Sequence, residues 1–480
     1  MIGCHIYIGA FMKKIILLQL SLFLTCLLFA VDGNAQITAK GRTVFGQNLR
    51  SINPHNGHVR CVSDEYEASL QKSNPKRLNN EQFEQWIAPL VAKEKAAMAS
   101  RGTDGTNVVI TIPVVVHVIH NNLAVGTNAN ISEARVLSQI TVLNQDFRKM
   151  LGTPGYNTNP VGADVEIEFA LARRKPDGTA TNGIDRVSRT TTNWSTESSV
   201  QAMKAATQWD PSKYLNIWTV QFTSNLNAEM GGVLGYAQFP SSSQLEGLDE
   251  NEGAANTDGV VIDWRCFGSV AIASGTYSDD YDRGRTTTHE VAHYFGLRHI
   301  WGDAGNRDEG IDCSGTDYCN DTPTAGWENY DCAQVYNSCP APGNDMVENY
   351  MDYTNDTCMN IFTLDQKARI QTVLLNSPRR NTLATSDALQ APLGIASFGI
   401  LEGIQLFPNP ANEVLNISVS KNGQLPDSYV IYNTLGQVLA ASKISTAIDL
   451  KINTSNFTAG IYLIKLIKDN QSKTVQFIKK

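Results

Sequence analysis

The chain has 480 residues, too many for one ordinary hydrophobic core, so roughly two to four segments of domain size are expected. Its 42% hydrophobic and 18% charged residues are those of a soluble globular protein. A net charge of -8 and a pI of about 5.6 argue against a nucleic-acid binder, which needs a basic face.

At the N-terminus Lys13 and Lys14 precede an apolar run from Ile15 to Val31 that ends in Gly33-Asn34-Ala35. A positive start, an apolar stretch and a small-x-small end predict a secretory signal peptide over 1–35, and Met12 is an alternative start. Gln19 and Ser21 interrupt the run and no second one follows, so no stable membrane span is expected. Residues 36–100 are polar and end in a helical pattern of Phe83, Trp86, Ile87, Leu90 and Val91. From 101 to 380 the spacing predicts a buried strand over 108–120, a helix over 132–150 opened by Ser132, and further strands over 165–173, 215–222 and 232–239. Strand, helix and strand followed by another helix make a mixed sheet with helices packed on it, an α/β (α+β) domain.

That last helix carries His289-Glu290-Val291-Ala292-His293, with Gly296 and His299 following. His289 and His293 stand four residues apart, so both imidazoles project from one helical face and can grip one zinc ion. Gly296 permits the left-handed turn that brings His299 round as a third ligand. Glu290 lies close enough to take a proton from water on the metal. Three protein ligands leave a fourth position open, as in a catalytic rather than a structural zinc site.

Of nine cysteines, Cys4 and Cys26 lie in the predicted signal. Cys266, Cys313, Cys319, Cys332, Cys339 and Cys358 surround the histidine motif and can pair completely, which leaves Cys61 odd in an exported chain. Residues 381–402 read as a linker rich in Thr, Ser and Ala. Beyond it, 403–480 shows strand-like runs over 414–419, 428–433, 437–443, 461–468 and 473–478, the pattern of a small all-β sandwich.

The extended histidine motif, together with Asn349-Tyr350-Met351-Asp352-Tyr353, resembles the pappalysin family of metzincin zinc metalloproteases, a resemblance that extends over residues 108–375. It implies a secreted endopeptidase acting on protein or peptide substrates, with Met351 as the Met-turn residue and Tyr353 reaching toward the tetrahedral intermediate. It also implies Asp356 as a determinant favouring Arg or Lys at P1′, and an extended substrate along the edge near Val233 to Ala237. Cys61 would close the open zinc position in a latent form, making 36–100 a propeptide, and Ser100-Arg101 would be a site of self-maturation. Family spacing implies Cys313–Cys339 and Cys332–Cys358 disulfides, and Cys266–Cys319 is expected as the bridge that remains, outside the shared pattern. Calcium is implied near Asp317, Asp321 and Thr322. The segment Leu406-Phe407-Pro408-Asn409-Pro410-Ala411 and the later Gly460-Ile461-Tyr462 resemble a type IX secretion sorting domain, which implies the secretion machinery as a partner. The rival reading is a non-catalytic binding or adhesion protein on a protease-like fold, which would require a disrupted ligand set.

Overall fold

The computed structural model describes residues 39–100, 108–242, 255–340, 343–392, 401, 404–419, 425–468 and 471–480. The predicted signal peptide and Arg101 lie outside them. The chain forms two compact units, divided between Ala391 and Pro392.

The first unit opens with a short hairpin, β1 (Thr43–Val44) and β2 (Gln47–Asn48), and two helices, α1 (Ser63–Ser73) and α2 (Asn80–Ser100). Its sheet comprises β3 (Ile110–His120), β4 (Ile167–Leu171), β5 (Ile184–Ser188), β6 (Leu215–Val220), β7 (Gly235–Ala237) and β8 (Val260–Asp263). The path runs β4-β3-β6-β8-β7, with β5 extending the β4 side of β3. All pairs are parallel except β7 with β8, so the strand at this end runs against the rest. Each of the residues of β6 is buried, as expected for a strand covered on both faces. Strand β5 and the helix α4 (Glu197–Thr207) escape the sequence reading, because β5 is only half-buried and lacks an apolar alternation.

Three more helices pack on this sheet or beside it: α3 (Glu133–Phe147) and α5 (Arg285–Tyr294), and then α6 (Leu364–Asn376). Ser132 caps α3 by accepting the N–H of Arg135, whose guanidinium donates to the carbonyls of Trp264, Phe267 and Thr276. Two layers of core result. One holds Val114, Val116, Leu143, Phe147, Ile217, Val291 and Met351 between the sheet and α3 and α5. The other, on the opposite face, joins Val44, Phe45, Val59 and Tyr66 of the N-terminal segment to Trp218, Val233, Tyr236 and Val261.

Lys204 of α4 is fully buried in this second core, with its amino group 4.8 Å from the ring centre of Tyr236 and 5.2 Å from those of Tyr66 and Trp218. Burial lowers its pKa from the ordinary 10.5 to about 7. The folded state therefore carries a penalty that is full below pH 7 and fades as pH rises toward 10.5, where the unfolded lysine also loses its proton. Replacing Lys204 by Met is expected to raise the melting temperature most below pH 7, with the gain shrinking by pH 9.5, as thermal scans across that range would read. A gain independent of pH would show that the amine is not the source.

The second unit is all-β. Strands β9 (Gln405–Phe407), β10 (Val414–Ser418) and β13 (Lys451–Asn453) form one antiparallel sheet. Strands β11 (Ser428–Asn433), β12 (Val438–Lys443), β14 (Gly460–Lys468) and β15 (Gln471–Lys479) form the other. Leu415, Ile417 and Ile452 of the first sheet meet Ile431, Ile464 and Phe477 of the second in one buried cluster, which makes the sandwich. Among the described residues no helix is long and apolar enough to cross a membrane.

Candidate metal centre and active site

Helix α5 begins after Gly284 in a left-handed conformation, and every one of its residues is buried. The carboxylate of Asp356 accepts the N–H groups of Arg283 and Arg285 at 2.9 and 3.1 Å through Oδ2, which satisfies donors at the start of the helix. Thr288 and Arg285 both bond Asp146 of α3, so the helix cannot rotate without breaking buried contacts. At its far end Gly296 adopts φ +85°, and the chain turns back to present His299.

The Nε2 atoms of His289, His293 and His299 lie 3.1, 3.0 and 3.3 Å from one another. Each Nδ1 donates outward: His289 to Tyr350 O at 2.7 Å, His293 to Leu297 O at 2.8 Å, and His299 to Asp303 Oδ1 at 2.7 Å, with Asp64 Oδ2 at 3.0 Å. A neutral imidazole that donates through Nδ1 can only accept through Nε2, so three lone pairs converge on one point. Such an arrangement suits a cation. Tetrahedral coordination at about 2.0–2.1 Å would hold the nitrogens about 3.3–3.4 Å apart, close to what is seen.

Cys61 completes the set: its Sγ and the three imidazoles form one buried group able to hold a metal. Without a cation, burial and then the charge of Glu290 push the thiol's pKa up. A metal at this point reverses that logic, because a coordinating thiol is deprotonated. Glu290 sits beside it, with Oε2 accepting from Ser63 Oγ at 2.8 Å and from Cys61 Sγ at 3.3 Å. Burial raises the Glu290 pKa to about 8, partly offset by those two hydrogen bonds. A Cβ on Gly235 of β7 would come within 2.9 Å of Glu290 Cγ, so the edge strand lies directly against this carboxylate only because position 235 is glycine.

The N-terminal segment reaches the centre as an added strand. Val59 N donates to Gly232 O and Leu234 N to Val59 O, both at 2.9 Å, and Val62 N to Gly235 O at 3.3 Å. Val59 and Val233 bridge in parallel. Chain occupies the very edge that the resemblance assigns to substrate, and the occupant is the protein's own residues. Next to Cys61, Arg60 is fully buried: it contacts Asp356 Oδ1 at 3.2 Å, donates to Thr286 Oγ1 at 2.8 Å and lies 4.7 Å from the ring centre of Tyr281. Asp356 thus divides its oxygens, one for the start of α5 and one for a guanidinium.

Tyr353 is buried, its ring centre 4.8 Å from that of His299 and 5.7 Å from that of His289. Met351 is wholly buried in the same core as α5, in a turn where Asn349 Oδ1 accepts its N–H. Cys313 bonds Cys339 and Cys332 bonds Cys358. The expected Cys266–Cys319 bridge does not form: both are free, buried thiols. Cys266 has Asp263, Asp356, Arg60 and Arg265 as charged neighbours, whereas Cys319 has Asp317, Arg369, Asp321 and Asp365, so the two lie in different surroundings. Burial raises the pKa of both and keeps them protonated, which lets them persist unpaired.

Asp317 accepts from Cys319 N and from Thr322 Oγ1, and burial raises its pKa to about 7, while Asp321 accepts Asp365 N. These side chains are engaged locally, and they are not among the groups that converge on a metal-sized point among the described residues. Arg60, Ser63, Asp64 and Asp303 are the site residues that the sequence reading missed. Asp303 alone had a local signal, four positions after His299 across a turn.

Residues 198–375 match the family model described as pregnancy-associated plasma protein-A, and 405–480 match the secretion system C-terminal sorting domain. The chain is 30% identical over 275 residues to an extracellular metalloprotease of Arthroderma otae, covering 57% of this chain and 82% of that protein. It is 31% identical over 289 residues to one of Pyricularia oryzae, covering 59% and 82%. Among solved structures, mature mirolysin of Tannerella forsythia in complex with a cleaved peptide is 39% identical, covering 59% of this chain and 98% of that one with a TM-score of 0.49. A mutant of promirolysin from the same organism is 35% identical, covering 66% and 98%, also with a TM-score of 0.49.

Proposed function

The chain belongs to the pappalysin family of metalloproteases and carries a secretion-system sorting domain, and from that premise we propose a zinc endopeptidase made as a latent zymogen and selective for Arg or Lys at P1′. The observation that carries this reading is the convergence of three imidazole Nε2 atoms beside Glu290. His289, His293 and His299 would hold the zinc, which when bound supplies Lewis acidity and lowers the pKa of water toward neutrality. Glu290 takes the proton of the attacking water and later delivers it to the leaving amine. The Tyr353 hydroxyl is assigned to the developing oxyanion, and Met351 to support beneath the imidazoles.

Latency is supported by Cys61 Sγ, which joins the three imidazoles in one group able to hold a metal, and by residues 59–62 along the 232–235 edge. The P1′ preference is supported by Arg60, which holds its guanidinium against buried Asp356 one residue from the metal-directed thiol. In this reading 1–35 is the signal peptide, 36–100 the propeptide, 101–380 the protease, 381–402 a linker, and 403–480 the sorting domain that engages the secretion machinery. Calcium at the 303–321 loop belongs to the same reading. It is tested by whether added calcium raises the melting temperature in wild type and not in Asp317→Ala.

The decisive experiment incubates the zinc-loaded enzyme with a peptide library and reads the cuts by mass spectrometry. Cuts before Arg or Lys are expected, abolished by 1,10-phenanthroline and restored by zinc. An enzyme that holds zinc and cuts nothing would defeat the protease reading, whereas cuts without basic preference would defeat the P1′ assignment alone. Asp356→Asn sharpens this, because the amide oxygen still serves the start of α5 while the charge is lost. The kcat/KM ratio for Arg over Leu at P1′ is expected to fall about 10- to 150-fold, from the ~1.5–3 kcal/mol of a charged hydrogen bond. A ratio equal to wild type would acquit Asp356.

A further inference from the structure

We infer that the mature enzyme carries a carboxylate-binding subsite, built from Arg298 and Arg369 and lying upstream of the scissile bond, which Glu84 of the propeptide fills in the latent chain. This rests on the protease reading. Glu84 is nearly fully buried and is held by both arginines: Arg298 Nε donates to Oε1 at 2.8 Å, and Arg369 Nη1 and Nη2 donate to Oε2 and Oε1 at 2.6 Å each. This is a two-pronged guanidinium grip with a third bond from the side.

Both arginines are positioned by the protease itself. Arg369 Nε donates to Gly296 O at 2.6 Å, in the turn that presents His299. Arg298 lies 5.5 Å from the ring centre of Phe239. Departure of 36–100 removes the carboxylate and leaves these holding contacts in place. Nor is Glu84 needed to dock its helix. Phe83, Trp86, Ile87 and Val91 of α2 already pack on Ala368 and Val373 of α6. A buried ion pair contributes little to stability beyond an apolar pair of equal volume, so docking of the helix does not by itself account for this grip.

Their place on the cleft follows from the strand edge. Arg60 and Asp356 mark the P1′ side, beside residues bridged to Val233. Moving along β7 away from that end, Ser63 Oγ accepts Ala237 N at 2.9 Å, and Phe239 follows, its ring centre 5.1 Å from that of His293. An extended peptide with its P1′ residue against Asp356 therefore sends its upstream residues toward Phe239 and the guanidiniums. The ligand class is a Glu or Asp side chain upstream of a basic P1′ residue.

The test uses zinc-loaded enzyme matured from the full chain and two peptide sets with Arg at P1′. In one set a single Glu is moved through the upstream positions; in the other Gln takes its place. At one position kcat/KM is expected to be about tenfold higher for Glu, and Arg298→Gln is expected to bring that ratio to near one. Equal cleavage of Glu and Gln peptides at every position, or a ratio that survives Arg298→Gln, would overturn the subsite. Should Arg298→Gln not mature, wild type decides with free peptides of residues 80–100: the parent peptide is expected to inhibit cleavage of the Glu substrate better than its Glu84→Gln form, and equal inhibition would overturn the inference. If neither peptide set is cut, it is the protease reading that has failed.

Discussion

Glu290→Gln is expected to lower kcat/KM for a peptide with Arg at P1′ by about 10²–10⁴-fold while zinc content stays at the wild-type level. The amide is nearly isosteric, so it fits the narrow space against Gly235. It cannot take up a proton at neutral pH, and the attacking water then lacks its base. The unaltered histidine set keeps the metal site intact, because the Nδ1 atoms of His289, His293 and His299 bond Tyr350 O, Leu297 O and Asp303 Oδ1 and not Glu290. Metal analysis and steady-state kinetics on the same sample separate the two effects. Near-normal turnover with a full complement of zinc would remove Glu290 from the mechanism. Full-length chain should also accumulate in this variant if the cut at Ser100-Arg101 is self-inflicted.

Cys61→Ala is expected to release peptidase activity before residues 36–100 are lost, and to hasten their loss. In the structure the thiol is the group from the N-terminal segment that meets the three imidazoles. Its neighbour Arg60 supplies a second hold, with both Arg60 and Asp356 desolvated. Breaking a buried pair by removing one partner costs about 3–5 kcal/mol, because the other charge is left uncompensated. Arg60→Ala should therefore also weaken latency, through the cleft rather than through the metal. Time courses of fluorogenic cleavage, run beside gels that follow the intact chain, distinguish them: Cys61→Ala acts on activity of the uncut chain, while Arg60→Ala also makes the segment easier to displace. Uncut Cys61→Ala protein that is as silent as wild type would count against the thiol as the zinc-closing group.

Much of the fold was legible because its elements announce themselves over short spans. The buried strand now seen at Ile110–His120 and the helix at Glu133–Phe147 follow from unbroken apolar runs and from 3.6-residue spacing. The sandwich strands at Ser428–Asn433 and Gly460–Lys468 follow from alternation between turns. Strands Gln405–Phe407 and Lys451–Asn453 were not legible, since three residues are too few to show a period. The Cys266–Cys319 expectation failed for a different reason. Parity counts thiols and says nothing of the distance between them, and these two are buried among different charged neighbours.

The local chemistry is readable from residue order: two histidines four apart, a glutamate between them and a glycine before the third histidine, all within one helix and its turn. Helical spacing and one left-handed glycine turn bring those groups together, so no knowledge of the rest of the chain is required. The resemblance points to Cys61 as a group that faces them, but how the chain delivers it depends on the whole fold. Cys61 stands 229 positions from Glu290, and Arg60 stands 296 from Asp356, yet each pair is in contact. Such contacts depend on the register in which residues 59–62 join the 232–235 edge, and register is set by packing of side chains from both partners, of which a single strand's sequence carries only half.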